Sequence, residues 1–303
     1  MIGAVELGLI YAVMALGVYL TFRILDFPDL TVDGSFTTGG ATAAILIVGG
    51  VNPVLATAAG GAAGLVAGTI TGLLHTKGGI NPLLAGILTQ VGLYSINLRI
   101  MDGANVPLLR YDTLLTPLRD NDLLGTAASI GIFAALVLAI KVVMDWFLNT
   151  DLGLAVQATG DNQGMIRSFG VSTHATKILG LALSNGLVAL CGALIAQYQG
   201  FADISMGIGL IIAGLASVIL GQALIPPRIV VIATFAVILG SILYRVAIQI
   251  ALQVGLDPND MKLVSAVLVV LALVLPKWSV LRRVPSIRSI RRSAAVEPTA
   301  GDR

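Results

Sequence analysis

Apolar stretches of about 20 residues, the length at which an α-helix crosses the hydrocarbon core of a bilayer, recur along almost the whole of this chain. They occupy residues 2–24, 35–50, 53–75, 81–101, 123–147, 176–198, 206–223, 228–253 and 260–276. Backbone surrounded by lipid has no water to bond, so such runs fold as helices packed side by side. Composition points the same way. Charged residues make up 11% of the 303-residue chain and hydrophobic ones 56%, whereas a soluble domain carries about 25% charged residues. Too few charges remain to cover a soluble globule, and a disordered chain or a disulfide scaffold is excluded as well. The expected fold is an all-α polytopic membrane protein of about nine transmembrane helices, within a range of eight to ten.

Charge sets the expected orientation. Residues 277–303 hold seven basic side chains and a net charge of +5, against −3 for residues 1–276. Basic residues just beyond a last span mark the cytoplasmic side, so the chain divides into a transmembrane domain, 1–276, and a basic cytoplasmic tail, 277–303, read as partly disordered. The tail is taken as this marker rather than as a nucleic-acid-binding arm. Counting back through nine spans places the loop 148–175 in the cytoplasm and the loop 102–122 outside. The opening segment lacks a basic stretch ahead of its apolar run and reads as a retained helix rather than a cleaved signal. A lone cysteine, Cys191, excludes an intrachain disulfide, and two distant histidines, His75 and His174, suggest no metal site.

Motifs for covalent chemistry are missing. No Gly-Lys dipeptide occurs, which removes a GxxxxGK[ST] phosphate loop, and HExxH, CxxC and GxSxG are absent too. Energy for work on a substrate must come from a partner or an ion gradient. Within 53–75, Gly60, Gly64, Gly68 and Gly72 recur at every fourth position and share one helix face. Such a face lets another backbone approach closely, for packing inside the protomer, for a dimer face or for the lining of a route.

The loop 148–175 contains NTDLGLAVQATGDNQGMIRSFGVSTHA. Asp161 and Asn162 are good helix N-cap residues and Gly170 a good C-terminal stop. Between them QGMIRSF makes about two turns, with Met165, Ile166 and Phe169 on one face and Arg167 pointing away. So short a helix needs tertiary support, so it either folds back on its own helix ends or docks into a partner.

The passage from Thr150 to Gly221, with DLGLAVQATGDNQGMIRSFGV and then GIGLIIAGLASVILG, resembles the permease subunits of ABC importers. It is similar to the branched-chain amino acid and ribose permease group. The opening YAVMALGVYLTFRILDFPDLTVDGSFTTGGA is similar to that group's first two helices, and the likeness is nearest to a subgroup of tryptophan/tyrosine or otherwise uncharacterised uptake systems. The resemblance covers most of residues 8–276. It implies a bacterial inner-membrane, multi-pass transport subunit with no catalytic site and no cofactor of its own, ATP being held by the partner. The implied partners are a second permease copy, a cytosolic ATPase dimer, an extracytoplasmic substrate-binding protein and membrane lipid, with no nucleic acid. It also makes Asp161, Asn162, Met165, Ile166, Arg167, Phe169 and Gly170 the coupling helix that seats in the ATPase.

A second constellation is LDFPDLTVDGS, residues 25–35. Pro28 pushes Phe27 out of helix and Gly34 tolerates unusual angles, so the helix breaks here. Carboxylates at membrane depth are expensive and are found in water-filled cavities; in an interfacial loop, three solvated aspartates would need no explanation. The resembled family's break lies near its central pathway, which makes Asp26, Asp29, Thr31, Asp33 and Ser35 pathway candidates. Gln90 and Asn97, seven apart on one face, join them. Ser184, Asn185 and Gln249 read as interhelical glue, and Arg245 lies mid-span and wants a carboxylate or a cavity. The expected function is an ATP-driven importer of a small polar solute, an amino acid first. The alternative is an ion-coupled secondary transporter, which often shows paired broken helices where one clear break is visible here.

Overall fold

The computed structural model describes residues 2–226, 229–254, 263–267 and 269–270. Helix α1 (Ile2–Tyr19) runs on through a π-helical turn at Leu20–Ile24, and α2 (Thr31–Val48), α3 (Pro53–Thr76) and α4 (Pro82–Met101) follow. Next come strand β1 (Asn105–Pro107), α5 (Thr116–Asp120), α6 (Ala127–Leu148), α7 (Asp151–Asp161) and α8 (Gln163–Ser168). Helix α9 (Thr173–Gln199), strand β2 (Phe201–Asp203), α10 (Leu210–Leu224) and α11 (Val230–Gln253) complete the order.

Local sequence explains several boundaries. Helices α3 and α4 both open on Asn-Pro: Asn52 accepts from the Val54 amide at 2.9 Å and Asn81 from the Leu83 amide at 3.0 Å. Proline at the first helical position needs no partner for its nitrogen and has its φ preset. Helix α9 starts on Ser172, whose hydroxyl accepts from the Ala175 amide, and stops at Gly200 with φ +80°. That left-handed angle is one glycine adopts without strain.

Among the described residues six helices are long and apolar enough to cross a membrane: Ile2–Ile24, Pro53–Thr76, Pro82–Met101, Ala127–Leu148, Thr173–Gln199 and Val230–Gln253. Helix α2 has 18 residues but carries Thr, Ser, Gly and Asp along its first half, and α10 has 15. A polytopic helical membrane protein is what the described residues form, and the expected count of about nine spans is not reached among them. The ninth apolar run, 260–276, lies largely outside the described residues, and the basic tail 277–303 wholly so.

Helices α1, α2 and α9 make the interior. Helix α9 packs on α1, α2 and α3, while α4 covers α2, and α6, α10 and α11 close on α1. The four glycines of α3 face α9. A Cβ at Gly64 would overlap the Asn185 carbonyl, one at Gly68 the Leu181 carbonyl, and one at Gly72 would stand 2.9 Å from the Ile178 Cα. A Cβ at Gly60 would stand 3.2 Å from Ala193 of α9 and 2.7 Å from the Gly39 carbonyl of α2. The stripe is thus occupied by packing within this chain. At one end of the bundle lie the break at 25–30 and helices α7 and α8; at the other, β1 and β2 pair antiparallel, Val106 opposite Ala202.

Buried charges sit where the apolar runs hide them. Glu6, in α1, accepts from the Gly125 amide at 2.8 Å, from Tyr198 at 2.8 Å and from Ser129. Lys141 and Asp145 pair one turn apart on α6, and Thr234 of α11 donates to Asp145 at 2.8 Å. Arg245 lies over the Tyr11 ring, 3.5 Å from its centroid, so among the described residues its partner is an aromatic face rather than a carboxylate.

Candidate functional site

The first break is shorter than the sequence implies. Helix α2 begins at Thr31, which leaves 25–30 irregular and makes Thr31 to Ser35 helical. Within the break Asp26 is exposed with φ +50°, and Pro28 ends any continuation of α1. Phe27 turns inward, its ring edge-on to His75 at 5.2 Å.

The candidate pathway residues divide into two sets. Asp29, Thr31 and Ser35 are fully buried and bonded to neighbouring elements. Asp29 accepts from the Thr31 amide at 2.9 Å and from the Asn185 side-chain amide at 2.6 Å. Ser35 donates to the other end of the same Asn185 amide at 2.7 Å. Thr31 meets Thr71 at 2.8 Å, and Thr71 donates to Thr89 at 2.9 Å, so a polar line runs from α9 through α2 and α3 to α4. Buried polar groups cost free energy unless paired, and these are paired.

Asp33, Gln90 and Asn97 form the second set. They line a cleft of about 440 Å³ between α2, α4 and the segment Ile204–Gly209. Helices α2 and α4 approach closely beside it: Leu30 lies against Gly86, and Gly34 against Gln90 and Leu93. Asp33 stands in the first turn of α2 and bonds across to a different helix. One carboxylate oxygen accepts from the Gly209 amide at 2.8 Å and the other from the Ile211 amide at 2.9 Å, which caps α10 from outside. Negative charge is favoured at a helix N-terminus, and Asp33 sits at two of them. Asn97 is 1% exposed; its amide nitrogen donates to the Gly34 carbonyl at 3.5 Å and its side-chain oxygen has no hydrogen-bond partner.

Sequence reasoning missed the rest of the lining. Thr37 follows Asp33 by one turn and Tyr94 follows Gln90 by one turn, so helical spacing could have found both. Gly34, Val91, Ser95, Ile204 and Ile208 complete the wall. The 204–209 segment is a second break. It lies along α2, with Met206 against Gly40 and Gly207 so close that a Cβ would overlap the Asp33 carbonyl. Helix α10 consequently starts at 210 rather than 206.

At the end carrying the first break, the loop 148–175 folds as two helices. Thr150 caps α7 by accepting from the Gly153 amide. Asn162, not Asp161, caps α8, accepting from the Met165 amide at 3.0 Å; Asp161 is the last residue of α7. The shared face also divides. Phe169 is 73% exposed and Met165 48%, whereas Ile166 turns into the protein. Arg167 donates to Thr173 at 2.8 Å, and Gly170 takes φ +83°.

The model of the family described as "Branched-chain amino acid transport system / permease component" matches residues 1–274. A tyrosine transport system permease protein of Clostridioides difficile (strain R20291) is 43% identical over 263 residues, 87% of this chain and 86% of that protein. An uncharacterized protein of Rickettsia prowazekii (strain Madrid E) is 35% identical over 277 residues, 90% of this chain and 96% of the relative. A ribose import permease protein of Escherichia coli (strain K12) is 26% identical over 216 residues, 69% and 65% of the two chains. No solved structure matches.

Proposed function

The chain belongs to the branched-chain amino acid transport permease family, and from that premise we propose that it is the transmembrane subunit of an ATP-driven importer of a small polar solute, an amino acid first. The observation that carries this reading is a cleft between α2 and α4 lined by Asp33, Gln90 and Asn97, in a bundle whose end presents the capped, exposed helix α8. The name of the Clostridioides relative favours an amino acid as the solute. A cytosolic ATPase dimer docks on Met165 and Phe169, an extracytoplasmic binding protein delivers the solute, and a second permease copy completes the route. ATP is held by the ATPase, and this chain does no covalent chemistry. The protein spans the inner membrane of a bacterial cell, with α7, α8 and the C-terminus in the cytoplasm. The apolar groove of about 580 Å³ between α3, α6 and α9 is open to membrane lipid.

One observation favours a second reading. The segment 204–209 is irregular like 25–30, and paired breaks are a mark of secondary transporters. Proteoliposomes separate the two. The importer reading expects no ATP hydrolysis by this chain alone and solute-stimulated hydrolysis once the ATPase and binding protein are added. Uptake by this chain alone under a proton or sodium gradient would replace it with the second reading.

A further inference from the structure

We infer that the β1–β2 ribbon, with the connector that follows β1, is the docking platform for an extracytoplasmic protein, and that docking there acts directly on the wall of the cleft. The inference deepens the importer reading and rests on it in one respect, that this partner is the solute-binding protein.

Helix α9 has 27 residues and so is about 40 Å long, more than the roughly 30 Å of a hydrocarbon core. The ribbon beyond its end stands among headgroups and water. Val106 and Ala202 are buried, and the alternation of a strand turns their neighbours Pro107 and Phe201 outward. Leu109 lies over Gly200, next to Phe201, and is 69% exposed; Tyr111 is exposed as well. These side chains do not sit on a loose loop. The Leu108 amide donates to the Gly200 carbonyl at 2.7 Å, the Leu114 amide to the Gln197 side chain at 3.0 Å, and the Gly125 amide to Glu6 at 2.8 Å. A long connector pinned at three points, with large apolar side chains turned out, is organised for contact.

Charge indicates the kind of contact. Residues 102–122 carry four aspartates (Asp102, Asp112, Asp120, Asp122) against two arginines (Arg110, Arg119), a net charge of −2. Among the described residues none of the six is in an ion pair. Such a surface is repelled by anionic lipid headgroups and complements a protein whose contacting face is basic. The platform also leads inward. Strand β2 runs straight on into the segment 204–209, the Ile204 amide donates to the Ala104 carbonyl at 2.9 Å, and Ile204 and Ile208 line the cleft. A partner that shifts the ribbon shifts that wall with it.

The test uses the importer assembled in nanodiscs from the full-length chain, its ATPase and its solute-loaded binding protein. A benzophenone side chain is placed at Leu109, at Tyr111 or at Val54, which is exposed at the same end of the bundle but off the ribbon. Positions 109 and 111 should cross-link the binding protein, and position 54 should not. Leu109→Asp should raise the binding-protein concentration that half-maximally stimulates ATP hydrolysis about tenfold, the loss of one good anchor. Asp112→Lys should raise it too, most strongly at low salt. In a Cys191→Ala background, a reporter Ile208→Cys in the cleft wall should change its thiol-labelling rate when the binding protein docks without ATP. Gly92→Cys, on the open side of α4, should not. Cross-links from the ribbon to lipid alone, equal cross-linking from position 54, an unshifted stimulation curve in Leu109→Asp, or an unchanged Ile208→Cys rate would overturn the inference and leave the importer reading standing. Absence of stimulation in the wild type would remove the importer reading and the inference with it.

Discussion

Asn185 donates to the buried Asp29 carboxylate at 2.6 Å and accepts from Ser35 at 2.7 Å, so one amide on α9 satisfies two groups of α2. Asn185→Leu keeps much of the volume but leaves Ser35 without this partner and Asp29 with only its bond from Thr31. Leaving buried polar groups short of a hydrogen-bond partner costs about 1–3 kcal/mol each, and the expected result is a clear fall in the thermal unfolding midpoint in detergent. Ser184→Ala loses only a bond to the Gly17 carbonyl and should cost about 1 kcal/mol; equal effects would remove Asn185 from its central place. Residue chemistry was partly legible in the sequence. The break at Pro28 follows from a missing amide and a fixed φ. The α8 cap was narrowed to two neighbouring residues, and only backbone geometry separates Asn162 from Asp161. Glu6 stayed hidden because it is a single charge inside an apolar run whose partners lie on other elements, whereas the Lys141–Asp145 pair, four residues apart in one run, was open to reading from its spacing. At the exposed end, Asn162→Ala should loosen α8 by about 1 kcal/mol, whereas Phe169→Ala removes an exposed aromatic anchor with an expected cost of about 2 kcal/mol or more in docking. Co-purification of the ATPase with each variant measures this; undiminished association in Phe169→Ala would place the docking surface elsewhere.

Helix α10 owes its starting point to another helix. The stretch Met206 to Gly209 is apolar and glycine-rich, so it reads as the beginning of a span, yet the Asp33 carboxylate and the close passage of Gly207 along α2 hold it out of helical form. Hydropathy could not show this, since the cap comes from 176 residues upstream. The glycine stripe of α3 was legible as a close-packing face, and the identity of the facing helix was not. Along α3 and α9 the two backbones touch over several turns, which makes substitution there a matter of helix separation rather than of cavity filling. Gly64→Leu should prevent accumulation of folded protein, because the added side chain would begin inside the Asn185 carbonyl; overpacking typically costs about 1–3 kcal/mol even where side chains can yield. Gly92→Ala is the matched control, since a Cβ there meets nothing within 4 Å. Size-exclusion profiles of the two in detergent should diverge, and comparable monodisperse peaks would contradict the packing argument.

The end that carries α7 and α8 is connected to the cleft through a short series of contacts. Arg167 ties α8 to the start of α9, and Thr159 meets Thr176 at 2.8 Å to tie α7 to the same helix. Gly160 sits directly on the first break, where a Cβ would overlap the Ile24 carbonyl. From the break, Asp29 leads to Asn185, and α2 carries Asp33 to the start of α10. Apart from the partly exposed Arg167–Thr173 bond, each link is a buried polar bond or a backbone contact, so displacement of α7 cannot be absorbed by a flexible side chain at Gly160. Transmission between docking and solute sites requires an element that both sites bias, and under the importer reading the α7–break contact is the element proposed for it. Gly160→Ala should therefore leave ATPase association intact, because Met165 and Phe169 remain exposed, while solute stimulation of hydrolysis falls about tenfold, within the usual range of coupling free energies. Phe169→Ala should lose association and stimulation together. Wild-type stimulation in a folded Gly160→Ala variant would mean that the signal reaches the cleft by another route, through α9 and its threonine pair rather than through the break.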